Sequence, residues 1–133
     1  YEATKVMIRN NSTRNNFRVL DTGAGEIVVG SSENIRVINN AMFGRGNKPV
    51  TKEYWSSNVQ WSHNLIHNGY NENATLWNTV WANPQFVSGG NLHIKSNSPA
   101  KRAGTTSWGT GPKDIDNQNR IMNGIDIGAD EIN

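Results

Sequence analysis

The densest carboxylates in this 133-residue chain stand near its C-terminus: Asp114 and Asp116, then Asp126, Asp130 and Glu131. Cleaving a glycosidic bond needs two carboxyl groups flanking it, about 5 Å apart for retention or about 6.5–9.5 Å for inversion. Asp114 and Asp116 are candidates for such a catalytic pair. With nearby backbone carbonyls, the same two side chains are candidate calcium ligands, because calcium takes oxygen donors in flexible geometry. A structural role competes with both. The stretch is rich in glycine and polar residues, and an Asp in such a loop orders it by accepting backbone N–H groups. Asp126 with Arg120 fits that role as an ion pair.

Histidine supplies the next chemistry. His63, His67 and His93 are the three in the chain, and His63 is a candidate general base. Residues four apart share a face on a helix. Along one strand, His63 and His67 would lie about 13 Å apart, too far to hold one metal ion. His93 joins them only if successive coils stack, and no His-x-His pair completes a zinc set. Lys52, Arg45, Lys101 and Arg102 offer the base or cation a uronate-cleaving lyase needs, yet no pattern separates them from solvated surface charge.

Aromatic side chains are numerous for this length, with five Trp and three Tyr. A sugar ring has an apolar face that stacks on an indole, and an exposed aromatic is costly without a use. Trp55, Trp77, Trp81 and Tyr54 fall in stretches read as loops. They are the candidate substrate-binding residues, the alternative being that they pack those loops onto the protein. Trp61 shares a register with Ile35 and Val37 and reads as core.

The elements that must position these groups are short. Apolar residues come in bursts closed by Asn or Gly: Val6–Ile8, Phe17–Leu20, Ile27–Val29, Ile35–Ile38, Val59–Ile66, Leu92–Ile94 and Ile125–Ile127. Their alternation and β-branched content predict strands. The one helix candidate, Lys52–Ser57, is short. An internal repeat organises the bursts. Residues 34–43 lie on residues 58–67 at a shift of 24, with Asn34 on Asn58, Val37 on Trp61, Asn40 on Asn64 and Met42 on Ile66. An earlier copy places Val6, Ile8, Asn10 and Asn11 on Ile35, Val37, Asn39 and Asn40 at a shift of 29. Such a repeat predicts a coil stack, with Val6, Ile35 and Val59 as an inward apolar ladder and Asn11, Asn40 and Asn64 as an amide ladder at a bend. Residues 45–57 and 69–84 read as excursions from the coil wall, residues 83–95 as the last full coil, and residues 124–132 as a closing strand.

Composition narrows the class. There is no Cys, so disulfides and thiol chemistry are out. Thirteen Lys and Arg against 11 Asp and Glu, without a basic stripe, argue against nucleic acid as partner. No run reaches transmembrane length, so membrane insertion is not expected. Twenty-one Asn and 13 Gly explain the low 35% apolar content, because both residues suit turns. Asn10, Asn11 and Asn73 stand in glycosylation sequons, which an Asn-rich chain also produces by chance.

The C-terminal motifs carry a resemblance. Asn83-Pro-Gln-Phe-Val87, Asn91-Leu-His-Ile94, Ser98-Pro-Ala-Lys-Arg-Ala-Gly104, Asp114-Ile-Asp-Asn117, Arg120 and Asp126-Ile-Gly-Ala-Asp-Glu131 follow in an order that resembles the C-terminal end of right-handed parallel β-helix proteins of the pectate-lyase-like superfamily. One group it is similar to is the archaeal disaggregatase type. Asn83 and Asp130 depart from that pattern, which often has Asp and an aromatic there. The resemblance implies an all-β solenoid, with coils over residues 1–103 and a C-terminal loop and capping strand over 104–133. It implies an extracellular or cell-surface protein whose partner is polysaccharide, continued by upstream coils or another fragment of the same protein. Two functions follow from it: the C-terminal portion of a polysaccharide-degrading enzyme, hydrolase or lyase, or a non-catalytic carbohydrate-binding or structural envelope module. No cofactor is implied, and calcium is the one ion the residues suggest.

Overall fold

A computed structural model describes residues 5–16, 25–120 and 124–132. The burst at Phe17–Leu20 lies outside them. Eleven short strands form: β1 (Met7–Arg9), β2 (Ser12–Arg14), β3 (Ile27–Gly30), β4 (Arg36–Ile38), β5 (Ala41–Phe43), β6 (Pro49–Tyr54), β7 (Gln60–Ser62), β8 (Leu65–His67), β9 (Tyr70–Glu72), β10 (Leu76–Trp77) and β11 (Val80–Trp81). They stack into three sheets, a first ordered β1-β4-β7-β10, a second ordered β2-β5-β8-β11 and a third ordered β3-β6-β9. Every strand pair is parallel. The chain is a right-handed parallel β-helix of triangular section, and the described residues contain no helix. The helix candidate at Lys52–Ser57 is instead the end of β6 and the corner after it.

The corners explain the Asn content. Among the described residues, nine of the fifteen non-glycine residues with positive φ are Asn, a non-glycine residue type that enters the left-handed region at low cost. Asn10, Asn39 and Asn78 turn the chain from the first sheet to the second, at φ values of 53°, 57° and 47°. The residue after that turn points inward and builds the amide ladder. Asn11 Nδ2 donates to Asn40 Oδ1 at 2.9 Å, Asn40 Nδ2 to Asn64 Oδ1 at 3.0 Å, and Asn64 Nδ2 to the Val37 carbonyl at 2.8 Å. The expected ladder is therefore present. It satisfies backbone groups that a one-residue corner leaves without a sheet partner.

Both repeats appear as strand register, with Ile8 on Val37 and Val37 on Trp61. The third step is shorter: Trp61 pairs with Leu76 and Leu65 with Val80, a spacing of 15 residues. Residues 49–54 and 70–81 are thus coil wall, where the sequence reads as excursions. Inside the triangle, Ile27, Ile35, Val37, Met42, Val50, Trp61 and Ile66 form a closed core. The fully buried Trp61 keeps its indole N–H satisfied by donating to Glu53 Oε2 at 2.8 Å. Val6, expected in the inward ladder, is 37% exposed at the start of the stack, while Ile35 is 2% exposed.

The segment after β11 follows a different path from the one its pattern suggests. Residues 83–95 make no coil: Phe86 and Ile94 form an isolated antiparallel bridge. Residues 124–132 make no strand. Described parts of the segment lie along the outer face of the second sheet, where Phe86, Ile94, Ala100 and Ile127 pack on Ala41 and Leu65, while Trp108 reaches the first sheet beneath the Arg36 guanidinium. It covers a side of the solenoid rather than closing an end. Its motif glycine at 128 has φ 115°, and a Cβ there would meet Ser12 Oγ at 2.8 Å. Only glycine lets this segment lie that close to the sheet.

Candidate functional site

Two places bring chemistry-bearing side chains together. The first is the outer face of the third sheet and its corner into β7. Register pairs Val28 with Lys52 and Lys52 with Glu72, and pairs Gly30 with Tyr54 and Pro49 with Tyr70. Lys52 Nζ and Glu72 Oε1 lie 2.7 Å apart. That bond holds the ammonium pKa above its usual value, and the nearby phenols of Tyr70 and Tyr54 add to the effect. The Tyr54 ring lies over Gly30, where a Cβ would come within 2.2 Å of it. Trp55 stands edge-on to Tyr54, with ring centroids 5.5 Å apart.

Trp55 is the outlier of this face. It is 88% exposed, and its φ is 50°. Ser31 occupies the same corner one coil earlier, at φ 46°. The corner therefore requires the left-handed conformation, for which a small polar residue serves well and a bulky one is strained. A shallow cavity of about 200 Å³ beside the indole is lined by Ser31, Ser32, Glu33 and Ser57. Small-molecule pockets usually begin near 300 Å³, so this is a depression for something passing across the surface.

Trp77 and Trp81 sit on strands, not loops, with exposures of 62% and 57%. Trp77 continues the outward column of Ile38 and Ser62. Trp81 continues the column of Met42 and Ile66, both fully buried, and is uncovered because β11 is the terminal strand of its sheet.

His63 lies at the corner between β7 and β8, at φ 51°, in the position that Asn10, Asn39 and Asn78 fill in other coils. Its Nδ1 bonds Ser62 Oγ at 2.7 Å, and burial lowers its pKa. His67 stacks edge-on against Phe43 at 4.9 Å in the column that begins with Arg14. The two histidines thus belong to different positions of the coil.

The second place lies in the C-terminal segment. Asp114 is held by three backbone donors: Asp116 N at 2.9 Å and Gln118 N at 2.7 Å to Oδ1, and Glu131 N at 3.2 Å to Oδ2. Both oxygens are engaged in ordering the loop, which leaves Asp114 little capacity for a calcium ion. Asp126 likewise accepts Arg102 N at 2.6 Å and Ile132 N at 2.8 Å. Arg120 donates to the carbonyls of Lys113, Gly128 and Ala129, and its charged partner is Glu131 at 3.7 Å rather than Asp126. Burial pushes the Glu131 carboxyl up to about 7, helped by the nearby Asp126 charge and partly offset by Arg120.

Asp116 has a different neighbour. Its Oδ2 lies 2.9 Å from His93 Nε2, and that bond, with Asp130 nearby, raises the His93 pKa against the effect of burial. Asp130 completes a trio in which one ligand atom from each residue lies within 4.8 Å of the others. His93 and Asp116 are 23 residues apart, so no local spacing pairs them. The parity of Asn91-Leu92-His93-Ile94 was the available clue: buried Ile94 faces the sheet, which turns His93 outward.

No described helix is long and apolar enough to cross a membrane. Comparison with protein-family models, curated proteins and solved structures finds no match to this chain. The β-helix architecture itself is compatible with carbohydrate-active and with structural proteins, and does not choose between them.

Proposed function

We propose that this chain binds polysaccharide across the outer face of its third sheet, acting as the binding wall of a carbohydrate-active β-helix protein. The observation that carries the reading is Trp55, an indole 88% exposed in a strained corner where the coil before it uses Ser31. Neither packing nor backbone preference accounts for a tryptophan there, and ligand stacking does. Tyr54 and Tyr70 extend the aromatic surface, and the Lys52–Glu72 pair supplies hydrogen-bonding groups for sugar hydroxyls. The flat row of short parallel strands suits an extended polymer. The proposal carries with it an extracellular or cell-surface location, where polysaccharide is met.

Carboxylates on this face favour binding over bond cleavage. Glu72 is paired with Lys52, Glu53 points inward to the Trp61 indole, and Glu33, exposed beside Trp55, would need a second carboxyl group to cleave a glycosidic bond. Degradation, as a hydrolase or lyase, is the finer version of the proposal and needs groups beyond this face. The test incubates the chain with neutral and acidic glycans, then measures retention, new reducing ends and unsaturated-uronate absorbance. Retention without new ends is the expected result. New reducing ends alone would move the reading to a hydrolase, and uronate absorbance to a lyase. Absence of retention on every glycan would overturn it.

A further inference from the structure

We propose that His93, Asp116 and Asp130 bind a divalent transition-metal ion, with zinc the best fit, and that the ion clamps three separate stretches of the C-terminal segment together. One ligand atom from each residue lies within 4.8 Å of the other two. Zinc takes His nitrogen and carboxylate oxygen at about 2.0–2.2 Å. Two such donors at angles between a right angle and a tetrahedral one lie about 2.9–3.4 Å apart. His93 Nε2 and Asp116 Oδ2 are 2.9 Å apart, so this edge of the site is already at coordination spacing. Asp130 has to close in by a fraction of its present distance.

The surroundings orient the ligands as a metal site requires. His93 Nδ1 donates to Asn91 Oδ1, an oxygen that also accepts the His93 backbone N–H at 3.1 Å. That contact fixes the amide orientation and places a proton on Nδ1, so that Nε2 is the nitrogen that takes the ion once it releases the proton it shares with Asp116. Asp130 is only 4% exposed, and its Oδ2 is held by Ile94 N at 2.8 Å. A buried carboxylate is ordinarily paired with a cation or coordinates a metal. Among the described residues Asp116 forms its ion pair with His93 itself, and Arg120 is committed to three carbonyls and Glu131. With the His93 proton released on ligation, two carboxylates and an imidazole carry two negative charges, which a divalent ion balances. The imidazole argues against calcium, which prefers six to eight oxygens. Asp116 and His93 are partly open to solvent, so water fills the remaining positions. The site lies over the second sheet and does not depend on the glycan-binding proposal.

The test uses the whole chain, stripped with EDTA and titrated with Co²⁺ while the visible spectrum is recorded, then with Zn²⁺ to displace it. Thermal unfolding is followed with and without Zn²⁺. We expect a Co²⁺ spectrum distinct from the aqueous ion, its loss on adding Zn²⁺, and a Zn²⁺-dependent rise in Tm. His93→Gln and Asp116→Asn, both at partly exposed positions, should each weaken binding at least about 100-fold while keeping the unfolding transition of the metal-free parent. His63→Asn serves as a control and should bind as the parent does. An aqueous Co²⁺ spectrum with no Zn²⁺ effect on Tm would overturn the proposal. So would full binding retained in both His93→Gln and Asp116→Asn.

Discussion

Replacing Asn40 by Ala removes the centre of the amide ladder, and its cost follows from counting the partners left behind. Asn40 is fully buried. Its Nδ2 donates to the carbonyls of Ile8 and Ile38 at 3.0 and 3.1 Å and to Asn64 Oδ1 at 3.0 Å. Its Oδ1 accepts Asn11 N at 3.1 Å and Asn11 Nδ2 at 2.9 Å. After the substitution, Asn64 Oδ1 still receives the residue-40 backbone N–H, and the Ile38 carbonyl still receives Asn10 N. The Ile8 carbonyl keeps the ladder bond that the Arg9–Ile38 register gives it from the Ile38 backbone N–H, so the Asn11 backbone N–H is the group that loses the bond Asn40 supplied. At about 1–3 kcal/mol for a group left unsatisfied, the loss should be about 1–3 kcal/mol. Asn40→Asp should cost more, because it keeps the shape but offers acceptors where three acceptors already converge. Asn11→Ala, at an exposed position, should cost under about 1 kcal/mol. The assay is equilibrium urea unfolding followed by tryptophan fluorescence, with the m-value checked for constancy. An Asn40→Ala loss below about 0.5 kcal/mol, or Asn40→Asp milder than Asn40→Ala, would refute the reasoning.

Three further outcomes follow from the geometry. Gly128→Ala puts a side chain at φ 115° and within 2.8 Å of Ser12 Oγ, and should cost about 2–4 kcal/mol in urea unfolding; a loss under about 1 kcal/mol would contradict the tight docking of this segment. Burial lowers the His63 pKa below its ordinary 6.5, so the unfolded chain takes up the proton first and stability is lost as pH falls from about 6.5 towards the folded value. His63→Asn keeps the corner in the form used by Asn39 and Asn78 and should lose less stability between about pH 7.5 and 5 than the parent; equal losses would show that His63 does not contribute. Gly30→Ala would bring a Cβ to 2.2 Å from the Tyr54 ring, so it should displace that ring and weaken glycan retention; unchanged retention would remove Tyr54 from the binding face.

Much of the solenoid was legible because a repeat writes its register into the sequence. The pairings of Val37 with Trp61 and of Asn40 with Asn64 follow from the 24-residue shift alone. The last coil was hidden because its spacing shrinks to 15 residues, so Trp77 and Trp81 looked like loop residues although they end strands. Leu92–Ile94 and Ile125–Ile127 carry the alternation of strands, yet they pack on the outside of a sheet. Alternation reports a half-buried extended segment and not what it pairs with. The loop-ordering role considered for Asp114 matches its three backbone donors, whereas Arg120 chose Glu131 over Asp126, a choice made by folding across the segment. His93 and Asp116 meet through the same long-range path, which no spacing rule reaches. The left-handed corner at Trp55 was equally invisible, since tryptophan gives no sign of positive φ.

Calorimetric titration of a retained glycan into the parent and into Trp55→Ala tests the binding face most directly. Trp55 is nearly free of the core and alanine keeps a Cβ at the same left-handed φ, so Trp55→Ala should unfold close to the Tm of the parent. A stacking platform predicts at least about a tenfold weaker Kd, or about 1.4 kcal/mol, in that stable variant. An unchanged Kd with an unchanged Tm would contradict the proposal that this face binds polysaccharide.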